Sequence, residues 1–492
     1  MANYFRSSSS SFSSFSSSGS TTASSMVSDG LPMRVFLIQT AKGLFSSSGG
    51  YKANISLLRY LASAGHSVRQ ICYSHHGEVE AYVRTVAKSG KWNPNYRTRR
   101  LHLRSGYGER GTNIKVEEFT MEDGVQIVSL NKEAFDEAFG GKGTILHTIP
   151  KETAEYIEEG RLSSRLSDFV SFLQQEITDY SPTHVLFNDG LSMQTTSATE
   201  MPELNARRIG IIHTAEQLPF GPFSGGMPGH VSTPRELALL QQLDGIWSVS
   251  DAIRRYALEH GQLATNFFVH HPWTYLDEKA YALPTRQYNW DKKYIGMINP
   301  CKVKGVQILA SLAEACPQHE FLVYKSWGID DATETQLERM ENITCRAPCT
   351  DMEEAWRDIK VLLVPSLWFE AWGIVVIEAH LRGIPVIASD AGALTEAMLG
   401  LDYVVPVNPI LGERDDEGEY VVPKQDVQPW VQAVNRLMSD VTEYGRVSNE
   451  ACSVTGQWLN ESDERALGGW LMDMSRKGRR DSLMMASQGK MM

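Results

Sequence analysis

The stretch Val361–Glu396, VLLVPSLWFEAWGIVVIEAHLRGIPVIASDAGALTE, constrains this chain more than any other. Val361-Leu362-Leu363-Val364 is wholly apolar, as expected of a parallel strand covered on both faces. Pro365 and Ser366 end it, and a loop carries Trp368, Phe369 and Glu370. Gly373 then opens a helix whose Ile374, Ile377 and Leu381 fall on one side. Gly383 and Pro385 stop that helix, and Val386-Ile387-Ala388 reads as the next buried strand. In such a unit, ligands sit at the carboxyl ends of the strands, which is where Glu370 falls. Glu378 lies about one turn into the helix, on the edge of its apolar face. Between the two carboxylates, the unpaired amides of Trp372, Gly373 and Ile374 form a natural seat for a phosphate. A carboxylate, a phosphate seat and a second carboxylate in a row suit a sugar, a diphosphate and a ribose. For the pair in isolation, a solvated Glu378 and a Glu370 favoured by the helix dipole is the simpler reading.

The rest of the chain repeats the α/β pattern. Met33 to Ile38 reads as a strand, a loop ending in Gly49-Gly50 leads into a helix with Ile55, Leu58 and Leu61 on one face, and Val68 to Cys72 is a second strand. Glu117–Thr120 and Val125–Val128 flank Asp123-Gly124, a hairpin signal. His184–Phe187, Arg208–Ile212 and Gly245–Ser250 read as strands, and Asp251–Gly261 as a helix. His213 stands at the carboxyl end of the second of these strands, before the Gly/Pro-rich segment QLPFGPFSGGMPGH, a better place for function than for a core histidine. The second half restarts with Tyr294–Ile298, the segment Asn299-Pro300-Cys301-Lys302-Val303-Lys304-Gly305, and a helix over Val306–Ala315. The run from Arg97 to Arg104 reads as a solvated loop, with a phosphorylated acceptor as the functional alternative.

Acidic residues outnumber basic ones, 59 to 47, a net charge of -12 that argues against a general nucleic-acid surface. Any phosphate must therefore be held by a few placed groups. The six cysteines include no CxxC pair and read as thiols from a reducing compartment. His75 and His76 have no third ligand at metal spacing, and there is no Asp-x-Asp. No metal and no cofactor are expected. No apolar run approaches the roughly 20 residues that span a bilayer. The Ser-rich residues 1–31 read as a disordered tail and the cytoplasm as the location, with organelle targeting as the alternative.

Glu370-x7-Glu378, with Pro365-Ser366 before it and Gly383-x-Pro385-Val386 after it, resembles the nucleotide-sugar site of family 4 retaining glycosyltransferases. The resemblance is dense over about 290–400 and looser, though collinear, over about 32–275. It implies the α/β GT-B fold, two Rossmann-like domains facing across a cleft, with a C-terminal helix crossing back to the first. On that basis residues 32–288 form the acceptor domain, 289–453 the donor domain, 454–476 the crossover helix and 477–492 a flexible tail. The resemblance also implies roles. Glu370 contacts the donor sugar, Glu378 the ribose, Lys304-Gly305 the diphosphate, and His213 the reacting sugar from the opposite domain. Gly49 and Gly50 correspond to the acceptor-side loop, and the edge Ile343-Thr344-Cys345-Arg346-Ala347 presents backbone to the base. Asn299 stands where the family has an arginine, and Lys302 is the candidate substitute. The implied activity is metal-independent, retaining transfer from a nucleoside-diphosphate sugar to an unidentified acceptor. Another GT-B activity, an epimerase or phosphorylase, and a non-catalytic nucleotide-sugar binder are the rivals. The sequence leaves the oligomeric state open.

Overall fold

The computed structural model describes residues 32–45, 49–90, 92–104, 111–139, 150–224, 234–272, 284, 286–326, 328–348, 352–416, 418–462 and 465–475. The expected tails, 1–31 and 477–492, lie outside the described residues, as do most of the expected interdomain linker and the end of the Gly/Pro-rich segment after His213.

Among the described residues the strands form two sheets. The first contains β1 (Arg34–Gly43), β2 (Ser67–Ser74), β3 (Arg97–Leu103), β4 (Thr112–Thr120), β5 (Gln126–Asn131), β6 (His184–Phe187), β7 (Arg207–Ile212), β8 (Gly245–Ser248) and β9 (Phe267–Val269). Its order is β3-β4-β5-β2-β1-β6-β7-β8-β9, and β4 runs antiparallel to both of its neighbours. The second contains β10 (Tyr294–Ile298), β11 (Glu320–Tyr324), β12 (Ile343–Arg346), β13 (Ile359–Val364), β14 (Val386–Ser389) and β15 (Val404–Val405). It is parallel, in the order β12-β11-β10-β13-β14-β15. The strand order reverses between β1 and β6 in one sheet and between β10 and β13 in the other. Crevices at the carboxyl ends of those strands are where open α/β sheets hold ligands. This is the two-domain α/β architecture of the GT-B fold.

Two readings of the sequence need correction. The basic run is the edge strand β3, not a loop, and Arg97, Arg99 and Arg104 are engaged: Arg97 and Arg99 by Glu118, Arg99 also by Glu176, and Arg104 by Asp168. These partners come from β4 and the helix Ser164–Tyr180, which local sequence does not announce. The terminal element is also not one helix over 454–476. A helix runs from Val441 to Glu461, Ser462 turns extended, and a second helix covers 465–475. The first packs on the second domain, where Ser448 Oγ donates to Gly383 O at 2.7 Å and Tyr444 Oη to Lys360 O at 2.8 Å. The second buries Leu467, Leu471 and Met474 in the core of the first sheet and stacks Trp470 on Phe268, 5.1 Å between ring centres. The chain thus crosses back and ties the domains together.

Candidate active site

Every residue of β13 is buried, so the strand is rigid up to its end, and the loop after it is held from two sides. The amides of Leu367 and Trp368 both donate to Val303 O, at 3.0 and 3.1 Å, which lays the turn Lys302–Lys304 against the loop. Behind the loop, Ala393 N donates to Glu370 O at 2.7 Å, and a Cβ on Gly392 would come within 2.6 Å of Glu370 N. Glu370 is therefore placed by backbone packing before its side chain makes any contact.

That side chain meets Lys304. The Lys304 ammonium is in contact with the Glu370 carboxylate, and Ser366 Oγ donates to the same oxygen at 2.7 Å. Burial alone would raise the Glu370 carboxyl. The charge and hydrogen bond of Lys304 and the Ser366 hydroxyl outweigh it and hold Glu370 below the usual carboxylate range. Burial would likewise lower Lys304, and Glu370 carries it above the ordinary lysine value. A half-buried cation beyond the carboxyl end of β10 thus faces a half-buried anion beyond the carboxyl end of β13.

The helix Ile374–Leu381 starts beside this pair. Its cap, Gly373, adopts φ +86°, where a side chain would press on Leu394; Val376 N donates back to Gly373 O at 2.9 Å, and the amides ahead of it stand outside the helix's own ladder. Glu378 is half-buried on this helix. Burial pushes its carboxyl up to about 7, Arg382 and Lys52 pull it back, and Glu353 pushes it further. Lys52 belongs to the first domain, on the helix Gly49–Ser63, so Glu378 faces the cleft. Trp372 and Ile374 look elsewhere. The Trp372 ring lies 4.0 Å from His271 and 5.6 Å from Trp458, and Ile374 packs against the cores of both domains. Both residues serve the joint between domains with their side chains, leaving only their backbone for a phosphate.

From the first domain, His213 follows β7. Its backbone N–H donates to Gln217 Oε1 at 2.6 Å, and its Nε2 lies 2.8 Å from Asn54 Oδ1. Asn54 Nδ2 in turn donates to Gln39 Oε1 at 2.7 Å, so Oδ1 is the accepting atom and His213 Nε2 carries the proton. Burial lowers the imidazole to about 4, so it is neutral at physiological pH with Nδ1 as an acceptor. Gly49 and Gly50 open the adjacent helix, and a Cβ on Gly50 would come within 3.1 Å of the His213 ring. The missing side chain at Gly50 lets this helix approach the histidine.

Three expected site residues are occupied otherwise. Lys302 pairs with Glu419 at 3.2 Å and Asp330 at 3.7 Å, on a 3-10 turn and not on a strand. Arg346, at the end of edge strand β12, donates to Asp358 Oδ2 at 2.7 Å and Tyr324 Oη at 2.9 Å. Asn299 is buried with φ +59°, and its Oδ1 accepts from Gly328 N at 3.2 Å. Asparagine tolerates that left-handed backbone better than arginine does. Asn299→Arg is therefore expected to lose roughly 1–3 kcal/mol of stability through the strained backbone and the orphaned Gly328 N–H. Urea denaturation checks this, and a variant as stable as the parent would refute it. Asn299→Gly, which keeps the backbone, should lose less.

Sequence reasoning missed the contacts across the cleft. Glu216, from a 3-10 turn after β7, accepts a hydrogen bond from Trp368 Nε1 beside Glu370. Glu396 of the second domain accepts from the amides of Asp251 and Ala252, at 3.0 and 3.1 Å, and lies 2.7 Å from His271 Nε2, capping the helix Asp251–Gly261 of the first domain. Beside the Glu370 loop the domains leave a cavity of about 590 Å³ lined in part by Phe223, Tyr256, Phe369 and Asp390. No cluster of three or more metal-ligating side chains occurs among the described residues.

Residues 293–440 match the family model described as glycosyl transferases group 1. Over 152 residues the chain is 24% identical to an exopolysaccharide phosphotransferase of Streptomyces coelicolor, a match covering 29% of this chain and 14% of that protein. The chain thus spans only about one-seventh of that relative's length. Among solved structures, the catalytic domain of starch synthase IV from Arabidopsis thaliana, bound to ADP and acarbose, is similar with a TM-score of 0.57 at 12% identity, over 90% of this chain and 99% of that one. A TarM mutant from S. aureus, in complex with fondaparinux, alpha-GlcNAc-glycerol and UDP, gives 0.56 at 12% identity, over 90% and 99%. At such identities the likeness establishes the shared fold.

Proposed function

We propose that this protein is a retaining glycosyltransferase that moves a sugar from a nucleoside-diphosphate sugar to an acceptor without a metal on the diphosphate. One observation carries the reading: the half-buried Lys304–Glu370 pair at the mouth of the helix that bears Glu378, at the strand-order reversal of the second sheet. The group 1 glycosyl transferase match covers this segment, and the two structural relatives were captured with UDP and ADP.

In this reading Lys304 and the first-turn amides at Gly373 carry the charge of the leaving diphosphate. Glu378 accepts from the ribose hydroxyls, and Glu370 orients the donor sugar. Neutral His213, its proton fixed on Nε2 by Asn54, offers Nδ1 as an acceptor to the sugar from the first domain. The leaving phosphate takes the acceptor's proton on the same face, so no protein base is required. Asn299 has a structural reason in its left-handed backbone and so does not favour a decayed, non-catalytic site. The five described cysteines are unpaired, which supports a reducing compartment. No helix among the described residues is long and apolar enough to cross a membrane.

The test is a panel of nucleotide sugars scored for nucleoside diphosphate release, with and without excess EDTA. Release from at least one donor, undiminished by the chelator, is expected. Neither binding nor release with any donor would overturn the proposal, and activity lost to EDTA and restored by magnesium or manganese would overturn its metal-independent part.

A further inference from the structure

We propose that Glu216 is a donor-site residue contributed by the first domain, which takes up a proton as a nucleoside diphosphate settles on Lys304; this rests on the donor reading above. Glu216 reaches across the cleft to Trp368, two residues before Glu370, and binds its indole N–H through one carboxylate oxygen. The other oxygen is buried and finds no hydrogen-bond partner among the described residues. A buried carboxylate with an idle oxygen is costly in its charged form.

The groups facing it set the sign. Lys304 from the Lys302–Lys304 turn is the cation in its field, but Glu370 already occupies that cation. Glu370 itself is the second anion. Tyr256 from the helix Asp251–Gly261 and Tyr420 from the 418–424 stretch complete the charged and titratable surroundings, and both phenols are shifted upward and so neutral. One cation therefore faces two carboxylates before any ligand arrives. Burial raises the Glu216 carboxyl, the residue's own amide, the Trp368 N–H and the Thr214 hydroxyl hold it back, and Glu370 raises it further. A diphosphate arriving at Lys304 adds negative charge to the same enclosure. The group that can relieve it without breaking an ion pair is Glu216, by accepting a proton from solvent. Glu370 cannot serve, because Lys304 and Ser366 hold it ionised.

The sign follows directly. A group that gains a proton on binding makes affinity fall as pH rises above its ligand-free pKa, by up to about tenfold per pH unit. Calorimetry with UDP and with ADP, in PIPES, HEPES and Tris at matched pH from 6 to 8, reads proton uptake from the dependence of the apparent heat on buffer ionisation. The wild type is expected to take up more protons than Glu216→Gln. The ligand's own phosphate and Glu378 titrate in both proteins and cancel in the difference. Glutamine keeps an acceptor for Trp368 Nε1 and removes the charge, so this variant should bind more tightly than wild type, with a margin that widens with pH. Trp368→Phe gives a second, independent reading. It deletes the N–H that favours the ionised form, so Glu216 should already be protonated and the uptake should shrink. Equal uptake in wild type and both variants, or Glu216→Gln binding more weakly than wild type across the range, would overturn the proposal while leaving the donor reading intact. Absence of any UDP or ADP binding to the wild type would overturn both.

Discussion

Glu370→Gln should bind UDP or ADP about 10–100-fold more tightly than the wild type while transferring sugar about 10–100-fold more slowly. The opposite signs follow from the ligand-free site. Lys304 is half-buried and already neutralised by Glu370, so a diphosphate must displace one anion before it can use the cation. Glutamine keeps the shape and an acceptor for the Ser366 hydroxyl but gives up the charge that competes for Lys304. A hydrogen bond to a charged group is worth roughly 1.5–3 kcal/mol, which sets the gain for the free nucleotide and the loss for the sugar hydroxyls that Glu370 would otherwise hold. The variant should also be somewhat less stable without ligand, because Lys304 is left half-buried and unpaired. Its melting temperature should therefore rise more on adding UDP or ADP than the wild type's does. Titration calorimetry and thermal unfolding test both halves, and unchanged nucleotide affinity in a folded variant would show that Glu370 does not compete for Lys304. Unlike the effect of Glu216→Gln, this one should vary little between pH 6 and 8, since Glu370 stays ionised.

Much of the second domain was legible because its signals are local. Tyr294–Ile298, Val306–Ala315 and the strand–loop–helix from Val361 to Leu381 are apolar runs or amphipathic turns bounded by Gly and Pro, and the chain folds them as read. The helix Asp251–Gly261 was legible for the same reason. What stayed hidden depends on partners far along the chain. Arg99 belongs to a strand because Glu118 and Glu176 compensate it, and Lys302 is drawn outward by Glu419, 117 positions away. The helix Val441–Glu461 was obscured by Gly445 and Gly456, which usually weaken a helix. In the structure neither has an atom within 4 Å of where a Cβ would stand, so they cost the helix propensity but no packing. In the site, Glu370 and Glu378 stood out through the resemblance carried by Glu370-x7-Glu378, one in the loop after β13 and one on the helix that follows. Asn54 and Glu216 were not, since a polar residue acquires its role only when folding places His213 or Trp368 against it. The sequence also suggested a cation problem at Asn299 where the structure places a backbone requirement.

Gly305→Ala is expected to be the most damaging single-methyl change in the site. Gly305 stands at φ +80°, a conformation that costs an L-residue roughly 1–2 kcal/mol even in open space. The space is not open, because a Cβ there would overlap the carbonyl oxygen of Pro365. That carbonyl belongs to the segment between β13 and Glu370, and neither side can retreat cheaply. On one side Gly305 N donates to Lys302 O at 3.1 Å and Gly305 O accepts from Ile308 N at 2.9 Å. On the other, the Leu367 and Trp368 amides are bound to Val303 O. Relieving the overlap must prise the Lys302–Lys304 turn from the loop, which separates Lys304 from Glu370 and moves the cation off the proposed diphosphate seat. A loss of about 3 kcal/mol or more in stability is expected, from backbone strain plus forced displacement in a packed interior. Nucleoside diphosphate affinity should fall by at least about tenfold, as expected when a charge-assisted contact is lost. Gly50→Ala is the informative control: its Cβ would meet only the His213 ring at 3.1 Å, in a helix where alanine is otherwise preferred. It should keep the fold and nucleotide affinity and disturb transfer alone. If urea denaturation and UDP or ADP titration find Gly305→Ala no worse than Gly50→Ala on both measures, then contact between the Lys304 turn and the Pro365 carbonyl does not set the position of the cation.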